Sequence, residues 1–159
     1  MAIVIKSGLL DDPQVVELLV IHWTRARAEA AAGKSHALDL SQLKAPGIRF
    51  FSAWDGSTLL GTVAIKTLSL KHGEVKSMHT AEASRRRGVA SALLRHVINT
   101  ARADGKDRLS LETHPTPYYG ASRALYQRHG FVECGPFGDY TADPASVFMT
   151  LELGGGESS

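Results

Sequence analysis

The segment RRRGVA, residues 85–90, has the residue types and the position that point most directly to chemistry. It follows a β-rich segment, residues 73–80, and leads into an amphipathic segment that begins at Val89. A strand that runs through a short turn into a helix leaves unpaired backbone N–H groups at the positive end of the helix dipole. Guanidinium groups beside those amides add positive charge. The segment therefore predicts a site for a phosphate-type anion such as a pyrophosphate.

The elements that must position this turn are indicated by hydrophobic periodicity and by turn residues. Apolar residues recur at helical spacing over residues 13–32, which predicts a helix that Gly33 ends. The dipeptide Asp55-Gly56 between two β-rich segments predicts a hairpin. The other expected elements are strands at residues 2–5, 48–54, 58–67, 73–80, 108–113, 131–134 and 146–153, a short helix at 39–43, and helices at 89–103 and 119–129.

Composition and length indicate one domain with its own hydrophobic core. The chain has 159 residues, of which 43% are hydrophobic and 21% are charged. This balance is typical of a single globular domain. We expect the domain to span residues 1–153, followed by a disordered tail at residues 154–159. The net charge of +2 is too small for a protein that coats nucleic acid.

Cysteine content and the length of the apolar stretches bear on the compartment. Cys134 is the single cysteine, so no disulfide can form within the chain, and a reducing compartment is expected. The apolar stretches are too short to span a bilayer, and the first residues lack the pattern of a secretion signal. These observations predict a cytoplasmic protein with no membrane partner and no nucleic-acid partner.

Two motifs give the chain a family resemblance. One is an R-x-x-G-x-A turn directly after a strand, and the other is an L-Y-x-x-x-G-F helix and strand further along. The matching residues are Arg85, Gly88 and Ala90 in the first motif and Leu125, Tyr126, Gly130 and Phe131 in the second. With the hairpin upstream, the chain resembles the GNAT superfamily of acyl-CoA-dependent N-acyltransferases. Members often carry an asparagine before the L-Y pair, where this chain has YYGAS at residues 118–122.

The resemblance implies a fold and a donor. It implies an α/β (α+β) single GNAT-like domain, in which helices flank a central, mixed, twisted sheet of about six or seven strands and two parallel strands splay apart at the cofactor site. It also implies acetyl-CoA as the donor and no metal. The pyrophosphate would bind the turn and the pantetheine arm would follow the preceding strand, so the implied cofactor-binding residues are Met78, His79, Thr80, Arg85, Arg86, Arg87, Gly88, Val89, Ala90, Ser91 and Tyr126.

Candidate catalytic groups follow from the chemistry of transfer from a thioester to an amine. The amine must lose a proton, and the departing thiolate benefits from a proton donor. Tyr126 stands at the family's position for the donor. Glu74 stands where several members of the family place a base, and Glu112 on the neighbouring predicted strand is the competing candidate. Water, His79 and His114 are further candidates for the base.

These features predict an acetyl-CoA-dependent N-acetyltransferase that acts on a small amine or amino-acid-like acceptor. Cys134 lacks a histidine at recognisable spacing, so direct transfer in a ternary complex is favoured over a covalent acyl-cysteine. The acceptor is expected between the first helix, the loop at residues 35–47 and the segment at residues 136–146.

Two alternatives remain open at this point, a non-catalytic acyl-CoA-binding regulatory module and a protein-lysine acetyltransferase. A homodimer is a candidate assembly, because dimers are common in proteins that resemble this one. The segments SHALDLSQL, FFSAWDG and HGEVKSM also resemble a bacterial subgroup sometimes labelled indole-3-acetic acid acetyltransferase. No residue in these segments selects an indole.

Overall fold

The computed structural model describes residues 2–29, 37–85 and 87–154. These residues contain seven β-strands and four α-helices. Outside these ranges lie residues 30–36, Arg86 and the tail residues 155–159. The expected helix end at Gly33 and the start of the expected loop at residues 35–47 therefore fall outside the described residues. The strands are β1 (Val4–Ser7), β2 (Ile48–Asp55), β3 (Thr58–Ser69), β4 (His72–Thr80), β5 (Arg108–Thr113), β6 (Val132–Cys134) and β7 (Val147–Glu152). The helices are α1 (Pro13–Glu29), α2 (Leu40–Leu43), α3 (Val89–Ala103) and α4 (Gly120–Arg128), with short 3-10 turns at Glu82–Ser84 and Pro117–Tyr119.

The seven strands form one sheet in the order β1-β2-β3-β4-β5-β7-β6. Neighbouring strands are antiparallel except β4 and β5, which are parallel and are connected through α3. The hairpin predicted at Asp55-Gly56 joins β2 to β3. The predicted mixed sheet flanked by helices is confirmed.

The parallel strands β4 and β5 are paired over only part of their length. Their register runs from His72 opposite Arg108 to Val75 opposite Leu111 and then ends. β4 continues to Thr80 along β3, with a shift in register at Ser77, whose φ of 52° lies in the left-handed region. Such a bulge bends the strand that contains it. The two parallel strands therefore separate beyond Val75 and Leu111, as the family resemblance implied.

Helices α1 and α3 cover opposite faces of the sheet. On β3, Val63 and Ile65 belong to the core that contains α3, whereas Ala64 belongs to the core that contains α1. Successive residues of a strand point to opposite faces. Lys76 on β4 is opposite Ala64 in the register, so its side chain belongs to the α1 face of the sheet.

Replacing Gly61 with Ala is expected to destabilise the protein by about 1–3 kcal/mol, because this position on β3 is closely packed. A Cβ at Gly61 would lie 2.9 Å from the carbonyl oxygen of His79, 3.1 Å from Leu93 and 3.3 Å from Val89. Urea unfolding measures the change. Gly120→Ala is the matched control, since a Cβ there meets no atom closer than 3.7 Å. Equal stabilities of the two variants would contradict the prediction.

Candidate active site

The gap between the separating strands is a cleft at the α1 face of the sheet. It contains four of the candidate site residues, Met78, Glu112, His114 and Tyr126. The described residues that line it are His22 and Ala26 from α1, Ala37, Val75, Lys76, Ser77 and Met78 from β4, Leu111, Glu112 and Thr113 from β5, His114, Tyr119, and Ser122 and Tyr126 from α4. Neither Glu74 nor Cys134 belongs to this described lining.

The turn before α3 is open around Gly88. Gly88 is the residue before the helix, with a φ of 80°, and a Cβ placed on it would meet no atom within 4 Å. No side chain of the described residues caps the helix, and the first helical hydrogen bond runs from the amide of Ala92 to the carbonyl of Gly88 at 3.0 Å. The amides of Val89, Ala90 and Ser91 therefore have no acceptor within the helix.

Two arginines beside this turn are on the surface. Arg85 and Arg87 are exposed. A nitrogen of Arg85 donates to the hydroxyl of Tyr118 at 3.3 Å. The hydroxyl of Ser91 is hydrogen-bonded to Nε2 of His129 at 2.7 Å, so its side chain is used within the fold and its amide is the group that faces the turn.

Tyr126 lies in the floor of the cleft and is only 6% exposed. Its ring packs against Phe131 with the centroids 5.9 Å apart. Burial raises the pKa of the Tyr126 hydroxyl above its usual value, and Tyr119 adds to the effect. The hydroxyl is therefore protonated throughout the physiological range and can donate a proton.

Glu74 is enclosed within the fold and is only 1% exposed. The hydroxyl of Tyr140 donates to its Oε2 at 2.5 Å, and the ammonium of Lys76 lies 3.3 Å from the same oxygen. Lys76 also donates to the hydroxyl of Tyr140 at 2.9 Å. Glu74, Lys76 and Tyr140 thus form a closed triad in which Lys76 lines the cleft and the carboxylate does not.

Glu112 is the predicted carboxylate that lines the cleft. It is partly exposed, and its Oε2 accepts a hydrogen bond from the hydroxyl of Ser146 at 2.6 Å. Next to it, Nδ1 of His114 donates to the carbonyl of Ala145 at 2.8 Å. Both contacts come from the segment 136–146, which was expected to border the acceptor. This segment therefore orients the side chains at the end of β5.

The cleft is also lined by His22 and Lys76, which no sequence motif indicated as site residues. Nδ1 of His22 lies 3.2 Å from Nδ1 of His79. Burial lowers the pKa of His22 to about 3, with smaller contributions from His79, Lys76 and His114. Burial, followed by Arg85, lowers the pKa of His79 to about 4. The pair is therefore neutral near pH 7.

Lowering the pH from about 7 to about 5 is expected to reduce the free energy of unfolding by about 2–4 kcal/mol through His22 and His79. In the unfolded chain both imidazoles take up protons near the ordinary pKa of 6.5, whereas in the folded protein they do so only at about 3 and about 4. The unfolded state thus binds more protons between these limits. Their stabilising effect is present above the unfolded value and is lost as the pH falls toward the folded values.

Urea unfolding at both pH values measures this effect. In the variant His22→Gln the loss of stability on acidification is expected to be smaller than in the wild type. A variant with the same pH dependence as the wild type would contradict the assignment.

Two properties of the described residues concern the binding of metals and the crossing of membranes. Among them, no three His, Cys, Asp or Glu side chains are grouped closely enough to hold a metal ion. None of the helices in the described ranges combines the length and the apolar character needed to cross a membrane.

Known proteins resemble this chain in both sequence and fold. The model of the acetyltransferase (GNAT) family matches residues 14–131. The uncharacterized N-acetyltransferase YedL of Escherichia coli (strain K12) is 44% identical over 149 residues, which cover 94% of this chain and 94% of that protein. The IAA acetyltransferase of Azospirillum brasilense is 41% identical over 125 residues, covering 77% of this chain and 79% of that one.

A solved structure extends the likeness to the fold. The PaiA N-acetyltransferase from Thermoplasma acidophilum, in complex with coenzyme A, has a TM-score of 0.74 at 16% identity and covers 96% of this chain and 99% of that one. The family match spans the turn at Gly88, the cleft and Tyr126. The chain therefore belongs to the GNAT family of acetyltransferases.

Proposed function

We propose that the protein is an acetyl-CoA-dependent N-acetyltransferase that acts on the amine of a small or amino-acid-like acceptor by direct transfer in a ternary complex. The observation that carries this proposal is the separation of β4 from β5 beyond Val75 and Leu111. The resulting cleft contains both a carboxylate, Glu112, and a buried phenol, Tyr126. A base and an acid in one cleft are what transfer from a thioester to an amine requires.

The turn before α3 and the free part of β4 support acetyl-CoA as the donor. Three helix amides without an acceptor in the helix, together with the open space above Gly88, suit a pyrophosphate. Beyond Val75, the edge of β4 that faces β5 has no strand partner in the register, so backbone groups near Met78 and Thr80 suit the amides of a pantetheine arm. The related Thermoplasma protein was solved with coenzyme A.

The proton movements can be assigned to two side chains. Acetyl-CoA supplies an activated acetyl group as a thioester. Glu112 takes a proton from the acceptor amine, whose nitrogen forms the new bond to the acetyl carbon. Tyr126 donates its hydroxyl proton to the sulfur as the carbon–sulfur bond breaks. The products are the N-acetylated acceptor and free CoA.

Release of free CoA in the presence of a panel of amines tests the proposed function, with a thiol-reactive dye as the readout. Turnover with at least one small amine, and intersecting lines in initial-velocity plots with both substrates varied, are expected for direct transfer. Binding of acetyl-CoA without CoA release for any amine would overturn the proposal in favour of a binding module. Parallel lines would overturn direct transfer and favour an acyl-enzyme such as one on Cys134.

Replacing Gly88 with Val is expected to weaken acetyl-CoA binding about 30-fold, because the side chain would occupy the space through which a phosphate approaches the helix amides. The variant Arg86→Ala is expected to weaken binding less than about tenfold, because a single arginine ion pair contributes little compared with the helix amides that we propose hold the pyrophosphate. Isothermal titration calorimetry measures both affinities. The larger loss in Arg86→Ala would contradict the assignment of the pyrophosphate to the amides.

The matched control for Gly88→Val is Gly105→Val. Gly105 also has a left-handed φ, 82°, and its Cβ would also meet no atom within 4 Å. It lies after α3, so the substitution introduces comparable backbone strain away from the turn. Acetyl-CoA affinity close to that of the wild type is expected for this control.

A further inference from the structure

Two of the described residues that line the cleft carry charges of opposite sign. Among the described residues that line it, Lys76 carries the positive charge and Glu112 the negative charge. The other lining residues are apolar, hydroxyl-bearing or histidine, and burial keeps His22 neutral by lowering its pKa to about 3. The described part of the lining therefore offers a ligand one cationic and one anionic residue.

Lys76 and Glu112 occupy corresponding positions on neighbouring strands. The last pair of the parallel register joins Val75 to Leu111, and each charged residue is the next one along its strand. Leu111 belongs to the core that contains α3, so Glu112 points to the other face, the one to which Lys76 belongs. The two charged groups therefore flank the point where the strands separate.

Lys76 and Glu112 both influence a third side chain, Tyr140. The hydroxyl of Tyr140 accepts a hydrogen bond from Lys76 at 2.9 Å. Burial, Glu74 and then Glu112 raise the pKa of this hydroxyl. The carboxylate of Glu112 and the ammonium of Lys76 therefore both act on Tyr140. Paired strands lie about 4.8 Å apart, so side chains one residue beyond the last pair are close enough for one small molecule to contact both.

The counter-ion of Lys76 lies away from the ligand. Glu74, 3.3 Å from the ammonium, is 1% exposed and is not part of the described lining, whereas Lys76 is. A buried charge is tolerated because it is paired, and the residue paired with Lys76 is not part of the described lining. Lys76 is therefore the member of the pair that lines the cleft.

We infer that the acceptor is an α-amino acid or a similar small molecule with a carboxylate next to its amine, with Glu112 at the amine and Lys76 at the carboxylate. This inference rests on the proposed function. The amine nitrogen forms the amide bond to the acetyl carbon, and Glu112 receives the amine proton. The carbon–sulfur bond breaks, and the sulfur takes the hydroxyl proton of Tyr126 and leaves as free CoA. The carboxylate of the acceptor stays ionised against Lys76. The product is an N-acetylated amino acid, and Lys76 determines specificity.

The test compares three versions of each acceptor. CoA release is measured with α-amino acids, with the corresponding decarboxylated amines and with the corresponding carboxamides. For at least one amino acid, kcat/KM is expected to exceed that of both partners by about 30-fold or more, as the loss of a charge-assisted hydrogen bond at a buried site would produce. A preference for the decarboxylated amines or for the carboxamides would overturn the inference.

A double variant assigns this preference to Lys76. Lys76→Met combined with Glu74→Gln removes both charges together, so neither is left buried without its counter-charge. The ratio of kcat/KM between amino acid and carboxamide is expected to fall to about threefold or less, mainly through KM. The control Lys6→Met alters an exposed lysine on β1 and should keep the wild-type ratio. A double variant that keeps this ratio would overturn the inference.

Direct binding separates a failure of this inference from a failure of the proposed function. If no amine supports CoA release, the proposed function fails, and titration of the same amino acids into the CoA-saturated wild-type protein then decides the inference. Binding of an amino acid but not of its carboxamide, lost in the double variant, would support the carboxylate site. Absence of amino-acid binding would overturn it.

Discussion

Replacement of Glu112 by Gln is expected to lower kcat for CoA release by about 1,000-fold, the range of a lost general base. Glu112 is the carboxylate among the described lining residues of the cleft, and the hydroxyl of Ser146 orients it through a hydrogen bond of 2.6 Å. Gln has the same shape and still accepts that bond, but it cannot take a proton from the amine. The affinity for acetyl-CoA should remain near the wild-type value, since the change lies away from the turn at Gly88.

The variant Glu74→Gln distinguishes the two carboxylates that the sequence left as alternatives. Glu74 is 1% exposed and is held by Tyr140 and Lys76, so we expect its replacement to lower kcat by about tenfold or less. Its main effect should be on stability, because Lys76 loses its counter-charge. A loss of about 1,000-fold in Glu74→Gln, with little loss in Glu112→Gln, would make Glu74 the base.

Replacement of Tyr126 by Phe is expected to lower kcat by about 100-fold, the contribution of a positioned proton donor. Only the hydroxyl is removed, and the ring still packs against Phe131. Because burial raises the pKa of Tyr126, the wild-type donor stays protonated as the pH rises through the neutral range. The loss should therefore be the same from about pH 6 to about pH 9, where kcat is measured for both proteins.

Tyr118→Phe is the matched control for the loss of a phenolic hydroxyl. Tyr118 is 38% exposed, accepts a hydrogen bond from Arg85, and is not among the described residues that line the cleft. Its replacement should change kcat by less than about threefold, as expected for an exposed contact. If Tyr126→Phe retained the wild-type kcat across the pH range, Tyr126 would not be the proton donor.

Local signals predicted the elements around the site well. The turn at Gly88 needs a left-handed residue, and the periodic apolar residues of α3 form one buried face, so both could be recognised without tertiary information. The hairpin at Asp55-Gly56 is similarly local. The first strand was placed at residues 2–5 but lies at Val4–Ser7, where it pairs with β2 and ends before the left-handed residues Gly8 and Leu9. A short segment of alternating residues fits more than one register, so the bounds of such a strand depend on the strand with which it pairs.

Long-range contacts in the site could not be predicted in the same way. The bond between Tyr140 and Glu74 joins residues 66 positions apart, and its existence depends on how the segment 136–146 folds over the sheet. Glu74 and Lys76 are two residues apart on one strand, and this spacing alone predicts that their side chains lie on the same face. The point at which the pairing of β4 with β5 ends determines which glutamate faces the cleft. No single segment of the sequence contains that information.

The segment 136–146 is fastened to the site at three points: Tyr140 to Glu74, Ser146 to Glu112, and the Ala145 carbonyl to His114. A loop held only by its ends can be exchanged between homologues as an independent module. This loop instead shares hydrogen bonds with side chains on two strands, so a chimera that imports it from a relative would disturb the orientation of Glu112 unless matching hydroxyls came with it. Acceptor preference and turnover are therefore expected to diverge together in this branch of the family rather than one at a time.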